Sequence, residues 1–220
     1  MFKNLITLFA VIFFVGGTIA QTNDDLYFVF MNTNPECEVL SDEKAEAIQA
    51  AHMQNIDKLA EDGKLFAAGP FEGGGGMFIL HAESLGEANG FLQSDPAVQA
   101  NRFATEVFPF QLAHGNMCGA KEPYEMVAYQ MVRFTNIDKN GTDVHKIAHD
   151  TRIFMADVGA KKKNIVAQGY FNDQADGILI LDVETTKEAE KIFKKHPSVK
   201  SGKMTYDVKT LWIAKGVFCE

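Results

Sequence analysis

The chain of 220 residues repeats itself at an offset of about 100 positions. Residues 65–71, with the sequence LFAAGPF, align with residues 165–171, IVAQGYF, and residues 76–80 align with 177–181 at an offset of 101. A repeat of about 95 residues is far longer than a solenoid unit and has the size of a small domain. The duplication therefore predicts two copies of one fold.

Each copy has the predicted element order β-α-β-β-α-β. In the first copy the predicted strands are 26–31, 64–71, 77–82 and 103–112, and the predicted helices are 41–61 and 84–93. This is the α+β, ferredoxin-like arrangement, in which both helices cover one face of an antiparallel four-stranded sheet. The other sheet face is left apolar, so we expect the two repeats, 24–118 and 122–220, to pack sheet to sheet as an intrachain pseudo-dimer.

The first 20 residues have the layout of a secretory signal peptide. Lys3 supplies a positive charge, residues 5–15 form an uncharged apolar run, and small residues precede Gln21. Such a run covers about half of the ~30 Å hydrocarbon core, which argues against a retained anchor. We expect cleavage after Ala20, a secreted or periplasmic protein, and no membrane association after cleavage.

The charge balance restricts the class of partner. The chain has 21 Lys and Arg against 29 Asp and Glu, a net charge of -8. A surface that follows nucleic-acid phosphates needs clustered cations, and the densest basic run is only Lys161 to Lys163. We therefore expect a small-molecule ligand or substrate rather than a nucleic acid. Because the duplication supplies both halves of the pseudo-dimer, we expect a monomer.

Three cysteines, Cys37, Cys118 and Cys219, permit at most one intramolecular disulfide. An exported protein would meet an oxidising compartment in which such a bridge persists. Cys118 falls on Cys219 in the repeat, but the sequence alone does not select the pair. The spacing also lacks the close CxxC pairs that are typical of structural zinc sites.

The first copy carries a set of short motifs that point to a family. They are His52 on the first helix, EDGKL at 61–65, AGP at 68–70 and SDPAV at 94–98. With these motifs the copy resembles the YCII-related family of the dimeric α/β-barrel superfamily. The resemblance implies subunits that associate through their sheets, and an active site formed by a helix histidine and the aspartate of an Asp-Pro step. It therefore implies His52 and Asp95 as candidate catalytic residues.

Helical periodicity tests the position of His52 independently. At 100° per residue His52 lies in the middle of an apolar stripe that faces the sheet. The stripe consists of Ala45, Ile48, His52, Ile56 and Leu59. A histidine there is either a core residue or a base that a neighbouring carboxylate orients. Asp95 has two interpretations as well, because an Asp before a proline commonly caps the following helical turn.

The second copy departs from this pattern. His196 stands in place of Asp95, so the carboxylate is lost, and matching the apolar stripes and terminal glycines puts Ala148 opposite His52. We therefore predict a degenerate second repeat that contributes packing and half of the pseudo-dimer.

The second copy offers one alternative, a metal site. His145 and His149 are four residues apart and share a helix face, with His196 as a third candidate ligand. The helix lacks the Glu of an HExxH motif, and we predict no metal site.

The glycine run of the first copy, Gly73 to Gly76, is not a phosphate loop, because no Lys-Ser/Thr follows it. We predict no organic cofactor.

These observations favour an exported enzyme that acts on a small molecule by His/Asp proton transfer. No serine or cysteine is identified beside His52 as a nucleophile, so a cofactor-independent lyase or isomerase is the leading hypothesis. The alternative is a non-catalytic protein that binds a small apolar ligand. The absence of a His/Asp pair, or dyad, from the second copy favours it, as do the 18 phenylalanines. A structural interaction protein is a third class.

Overall fold

The computed structural model describes residues 25–119, 123, 125–137, 144–162, 164–172 and 175–219. The predicted signal peptide lies outside these residues. Within them, no helix combines the length and the apolar character that a membrane span requires.

The predicted β-α-β-β-α-β order is confirmed in both repeats, and each repeat gains a one-turn helix after its second helix. The first repeat contains β1 Leu26–Thr33, α1 Asp42–Glu61, β2 Leu65–Pro70, β3 Gly76–His81, α2 Leu85–Gln93, α3 Pro96–Gln99 and β4 Phe103–His114, followed by β5 Asn116–Met117. The second contains β6 Met126–Asn136, α4 Val144–Lys162, β7 Ile165–Phe171, β8 Gly177–Leu181, α5 Thr186–Phe193, α6 Pro197–Lys200 and β9 Met204–Ala214, followed by β10 Phe218–Cys219.

The two four-stranded sheets join edge to edge into one antiparallel sheet of eight strands, in the order β2-β3-β1-β4-β7-β8-β6-β9. One seam is formed by β4 and β7, where Phe110 pairs with Phe171. At the opposite seam Phe71 bridges to Leu211, and the Glu72 N–H donates to the Thr210 carbonyl at 2.9 Å. The sheet therefore closes on itself as an α/β barrel with the helices outside.

The barrel interior is a single apolar core that both repeats supply. The first repeat contributes Phe28 and Phe30, as predicted, and the Phe28 ring lies 5.6 Å from that of Phe171 in the second. Other members of this core are Leu26, Ala67, Met77, Ile79, Phe110, Met131, Ile178, Ile180, Leu211 and Ile213. The predicted sheet-to-sheet packing is thus confirmed, with the addition that the sheet edges are also joined.

A partly exposed ion pair links the repeats beside this core. Arg133 of β6 donates two hydrogen bonds of 2.8 Å to the Glu106 carboxylate of β4, and its guanidinium lies 4.1 Å from the ring centre of Phe30. Asn32 donates a further bond to Glu106 at 2.9 Å. The hydrogen bonds from Arg133 are the main reason why the pKa of Glu106 lies below its usual value.

The disulfide joins Cys118 to Cys219, the two cysteines that occupy equivalent positions in the repeats. It ties together β5 and β10, which form a separate two-stranded ribbon. Phe218 of this ribbon and the preceding Val217 pack onto the barrel core. Cys37 is a free, half-buried thiol. By the chain-entropy estimate, closing a loop of about 100 residues stabilises the fold by about 4 to 5 kcal/mol.

Two glycines that the duplication aligns lie at the two seams. Each position requires a glycine because a neighbouring strand approaches too closely for a Cβ. A Cβ on Gly69 of β2 would collide with the backbone carbonyl of Trp212 in β9. A Cβ on Gly169 of β7 would collide with the ring of Phe110 in β4. The repeated glycine therefore lets one repeat approach the other.

We predict that Gly69→Ala lowers the free energy of unfolding by about 1 to 3 kcal/mol, because the carbonyl that it meets belongs to a paired strand and cannot move aside. Urea denaturation measures the change. Gly90→Ala is the matched control, since Gly90 lies within α2 and an added Cβ meets nothing within 4 Å. That substitution should be neutral or stabilising by up to about 1 kcal/mol. Equal losses in both variants would contradict the close-approach explanation.

Candidate functional site

His52 lies on α1 and faces the outer side of the first sheet, as its helical stripe predicts. Only 8% of the residue is exposed. The imidazole stacks near the Phe78 ring of β3, with 6.2 Å between ring centres, and lies 5.8 Å from the Phe103 ring of β4. Two aromatic rings therefore hold the imidazole between helix and sheet.

Asp95 occupies the junction between α2 and α3 and is fully buried. One carboxylate oxygen, Oδ1, accepts the backbone N–H groups of Ala97 at 2.8 Å and Val98 at 3.4 Å, which caps α3. The other, Oδ2, lies 2.7 Å from Nδ1 of His52. The same side chain therefore caps a helical turn and contacts the histidine.

This pattern of hydrogen bonds determines which imidazole nitrogen carries the hydrogen. A carboxylate only accepts, so Nδ1 of His52 carries the hydrogen and donates it to Asp95. Nε2 then has the lone pair in the neutral ring. Among the described residues, no group hydrogen-bonds to Nε2, and the His52 side chain keeps 10% exposure. The dyad thus presents one unengaged basic nitrogen.

A second polar pair continues the site along α1, and sequence reasoning missed it. Asn55, one turn after His52, contacts the Ser94 hydroxyl at 3.2 Å, and Ser94 directly precedes Asp95. That contact is made by Oδ1 of Asn55, and its amide nitrogen Nδ2 is buried without a hydrogen-bond partner. The available signal was an asparagine at the border of the apolar stripe, next to the candidate base.

The corresponding junction of the second repeat is built differently. His196 caps α6 by accepting the Ser198 N–H on Nδ1 at 3.1 Å. Its Nε2 lies 3.1 Å from the Thr151 hydroxyl, which in turn donates to the Ile147 carbonyl at 2.7 Å. Neither nitrogen of His196 is left for a ligand, and the contact contains no carboxylate.

The residue that faces His196 corrects the sequence alignment. Matching the apolar stripes put Ala148 opposite His52, but the side chain in contact with His196 is Thr151, three residues further along α4. A hydropathy stripe shows which face of a helix points at the sheet. It does not show which turn of the helix meets the junction between the other two helices.

Comparison with known proteins identifies the repeat that carries the dyad. Residues 26–111 match the family model of the YCII-related domain, and the match includes both His52 and Asp95. The first repeat is therefore similar to the YCII-related domain. No curated protein matches the chain.

Solved structures resemble either one repeat or the whole chain. A 5-chloro-2-hydroxyhydroquinone dehydrochlorinase from Burkholderia phenoliruptrix, solved with 2,5-dihydroxybenzoquinone, is 26% identical, with 37% of this chain and 89% of that chain covered and a TM-score of 0.31. A proposed monooxygenase from Lactobacillus acidophilus is 18% identical, with 89% and 99% covered and a TM-score of 0.44. Another from Fusobacterium nucleatum is 12% identical, with 86% and 92% covered and a TM-score of 0.49.

The histidines considered as metal ligands do not converge. His145 and His149 are exposed on α4, whereas His196 is fully buried with both nitrogens engaged. Across the described part of the chain, no three His, Cys, Asp or Glu side chains form a cluster that could hold a metal.

The second repeat nevertheless contains a cavity of about 380 Å³, located between α4 on one side and α5 and α6 on the other. Its walls are largely apolar, and Phe154 in the wall lies 4.8 Å from the His196 ring. The lining residues are Asp150, Ile153, Phe154, Asp157, Val158, Ile192, Lys195 and Pro197. His52 and Asp95 do not line this cavity.

Burial lowers the pKa of His196 to about 4, and the nearby Asp150 carboxylate opposes the shift only in part. The folded state therefore binds the proton more weakly than the unfolded chain, in which a histidine has a pKa near 6.5. The contribution of neutral His196 to the free energy of unfolding is therefore fully present above about pH 6.5 and is lost as the pH falls toward 4.

Between pH 6.5 and 4, we predict that the free energy of unfolding falls by about 3 kcal/mol more in the wild type than in His196→Asn. Asparagine can still cap α6 but does not titrate in this range. Urea denaturation at several pH values measures the difference between the wild type and the variant. If both proteins lose stability with the same pH dependence, His196 is not a buried neutral imidazole.

Proposed function

We propose that the protein is a cofactor-independent lyase or isomerase that moves a proton on a small molecule. The observation that carries this proposal is the 2.7 Å contact between Nδ1 of His52 and Oδ2 of Asp95, which leaves Nε2 of a nearly buried imidazole unengaged. A histidine with a purely structural role would be expected to use both nitrogens, because buried polar groups are normally hydrogen-bonded. His196 in the second repeat does use both.

In the proposed mechanism His52 is the catalytic base and Asp95 is a positioning residue. Nε2 takes a proton from the substrate, and the imidazolium that forms is stabilised by the Asp95 carboxylate. Asp95 is itself held by the backbone N–H groups of Ala97 and Val98, so its charge does not have to reorganise. The proton then returns to another substrate atom in an isomerisation, or leaves with the departing group in an elimination.

The surroundings of His52 favour proton transfer over acyl transfer. Among the described residues, no hydroxyl or thiol is hydrogen-bonded to His52, so the imidazole has no nucleophile to activate. The Phe78 and Phe103 rings instead give the base an apolar environment, in which electrostatic interactions with a substrate are stronger than in water.

Location and assembly form part of the same proposal. The predicted signal peptide and the Cys118–Cys219 disulfide both support a secreted or periplasmic protein, because such bridges persist in oxidising compartments. The core shared by the two repeats supports a monomer, since each apolar sheet face is already covered within the chain.

A second candidate function is non-catalytic binding of a small apolar ligand, favoured by the 380 Å³ cavity of the second repeat. Its size lies within the range of ligand pockets, and its walls are largely apolar. The two functions do not compete for residues, because the cavity and the dyad lie in different repeats.

Proton transfer can be tested before the natural substrate is known. We predict that the protein, in D₂O, catalyses exchange of acidic C–H protons in at least one of three compound classes: α-keto acids, 1,3-diketones and hydroxyquinones. NMR measures the rate of this exchange. His52→Gln should slow this exchange by about 10² to 10⁴, the usual contribution of a general base. Asp95→Asn should have a comparable effect and shift the pH profile, because asparagine keeps the cap of α3 but cannot stabilise the imidazolium.

His149→Ala is the matched control, since His149 is an exposed histidine on the equivalent helix of the second repeat. It should exchange protons at the wild-type rate. Unchanged exchange in His52→Gln would return His52 to a packing role, and absence of exchange by the wild type with all three classes would contradict the proposal.

A further inference from the structure

The cavity of the second repeat takes the place of a hydrogen bond in the first. In the first repeat, Oδ1 of Asn55 contacts the Ser94 hydroxyl at 3.2 Å. When the His–Asp contact of the first junction is aligned with the Thr–His contact of the second, Phe154 falls on Asn55 and Lys195 falls on Ser94. Both of these replacements line the cavity of about 380 Å³. The duplicated junction has therefore diverged at the position where a ligand would bind.

Opposite charges lie on the two walls of this cavity. Asp150 belongs to α4, and Lys195 lies between α5 and α6 on the facing wall. The contact of 3.1 Å between Thr151 and His196 joins the two walls, and each charged residue directly precedes one of these partners in the sequence. The carboxylate and the ammonium therefore flank the same contact, and within the described residues they do not pair with each other.

Both charges are able to accept a ligand. Lys195 is exposed and forms no ion pair with any residue that the structure describes. Oδ2 of Asp150 accepts a bond of 2.6 Å from Lys146, whose side chain is 65% exposed. Water screens such a pair, and a carboxylate has lone pairs for further donors. The other carboxylate of this wall, Asp157, lies about 10 Å further along α4 and so away from the contact that joins the walls.

The wall between the two carboxylates of α4 is apolar and contains a fixed aromatic ring. The Phe154 ring makes edge contacts with the rings of Phe193 at 5.9 Å and His196 at 4.8 Å, so its position is set before a ligand binds. The other apolar residues that line the cavity are Ile153, Val158, Ile192 and Pro197.

We propose that this cavity binds a small zwitterion with an apolar side chain, an apolar α-amino acid. The ammonium of the ligand contacts Asp150, its carboxylate contacts Lys195, and its side chain lies against Phe154. An uncharged apolar ligand would leave both charges unmatched, and a ligand with one charge would match only one wall. This inference rests on the second candidate function, the binding of a small ligand in this cavity, and specifies the chemical class of that ligand.

Calorimetric titration of the full protein with four related compounds tests the two charge contacts. Phenylalanine carries both charges, 2-phenylethylamine only the ammonium, 3-phenylpropionate only the carboxylate, and 2-phenylethanol neither. The wild type should bind phenylalanine about 3- to 10-fold more tightly than either compound with one charge, because each partly enclosed charge contact adds about that factor. The compound without charge should bind most weakly.

Two substitutions separate the charge contacts. Lys195→Met should weaken the binding of phenylalanine and 3-phenylpropionate by about 3- to 10-fold without weakening that of 2-phenylethylamine. Asp150→Asn should weaken the binding of phenylalanine and 2-phenylethylamine without weakening that of 3-phenylpropionate. Lys194→Met is the matched control, because Lys194 is an exposed neighbour of Lys195 that does not line the cavity. An equal loss in Lys194→Met would overturn the specific role of Lys195.

The remaining outcomes distinguish the ligand class from the binding function. Equal wild-type affinity for phenylalanine and 2-phenylethanol would overturn the ligand class but keep the second candidate function. Absence of binding by all four compounds would contradict both. Loss of phenylalanine binding in His52→Gln would place the ligand at the first repeat and overturn its assignment to this cavity.

Discussion

The fold depends on the burial of two apolar sheet faces against each other. Helices cover only one face of each four-stranded sheet, so each repeat alone would expose the other face to water. In the barrel that face is covered by the partner repeat, as where Phe28 and Phe171 meet. Fully burying one such side chain contributes about 1.5 to 3 kcal/mol. The partly exposed Glu106–Arg133 pair at the same interface contributes about 1 kcal/mol or less, so it orients the repeats rather than holding them together.

Because the shared core fills the barrel, the polar chemistry lies outside it, between the helices and each sheet. Each repeat therefore has its own junction after its second helix, and the two junctions could diverge without disturbing the interior. In the first, Asp95 caps a helical turn and orients His52. In the second, His196 caps the same turn and is satisfied by Thr151. One junction keeps an unengaged basic nitrogen, and the other is closed.

Long-range regularities made most of the fold predictable. The offset near 100 predicted two copies of one fold. The periodicity of the apolar residues predicted the helices and strands, the orientation of His52 toward the sheet, and the packing of one sheet on the other. The seams were not predicted, because they depend on Gly69 and Gly169 approaching a neighbouring strand. Two contacts were also not predicted: the pairing of Cys118 with Cys219 and the contact between Thr151 and His196. Both depend on distances between segments that are far apart in sequence.

The central claim is that the duplicated junctions hold their histidines in opposite states, one directed at a ligand and one used for structure. Long-range ¹H–¹⁵N NMR of the neutral imidazoles tests it directly, with assignments from His52→Gln and His196→Asn. The account predicts that His52 carries its hydrogen on Nδ1, donated to Asp95, and that His196 carries its hydrogen on Nε2, donated to Thr151. A His52 ring protonated on Nε2, or one that exchanges rapidly between the two tautomers, would contradict the account.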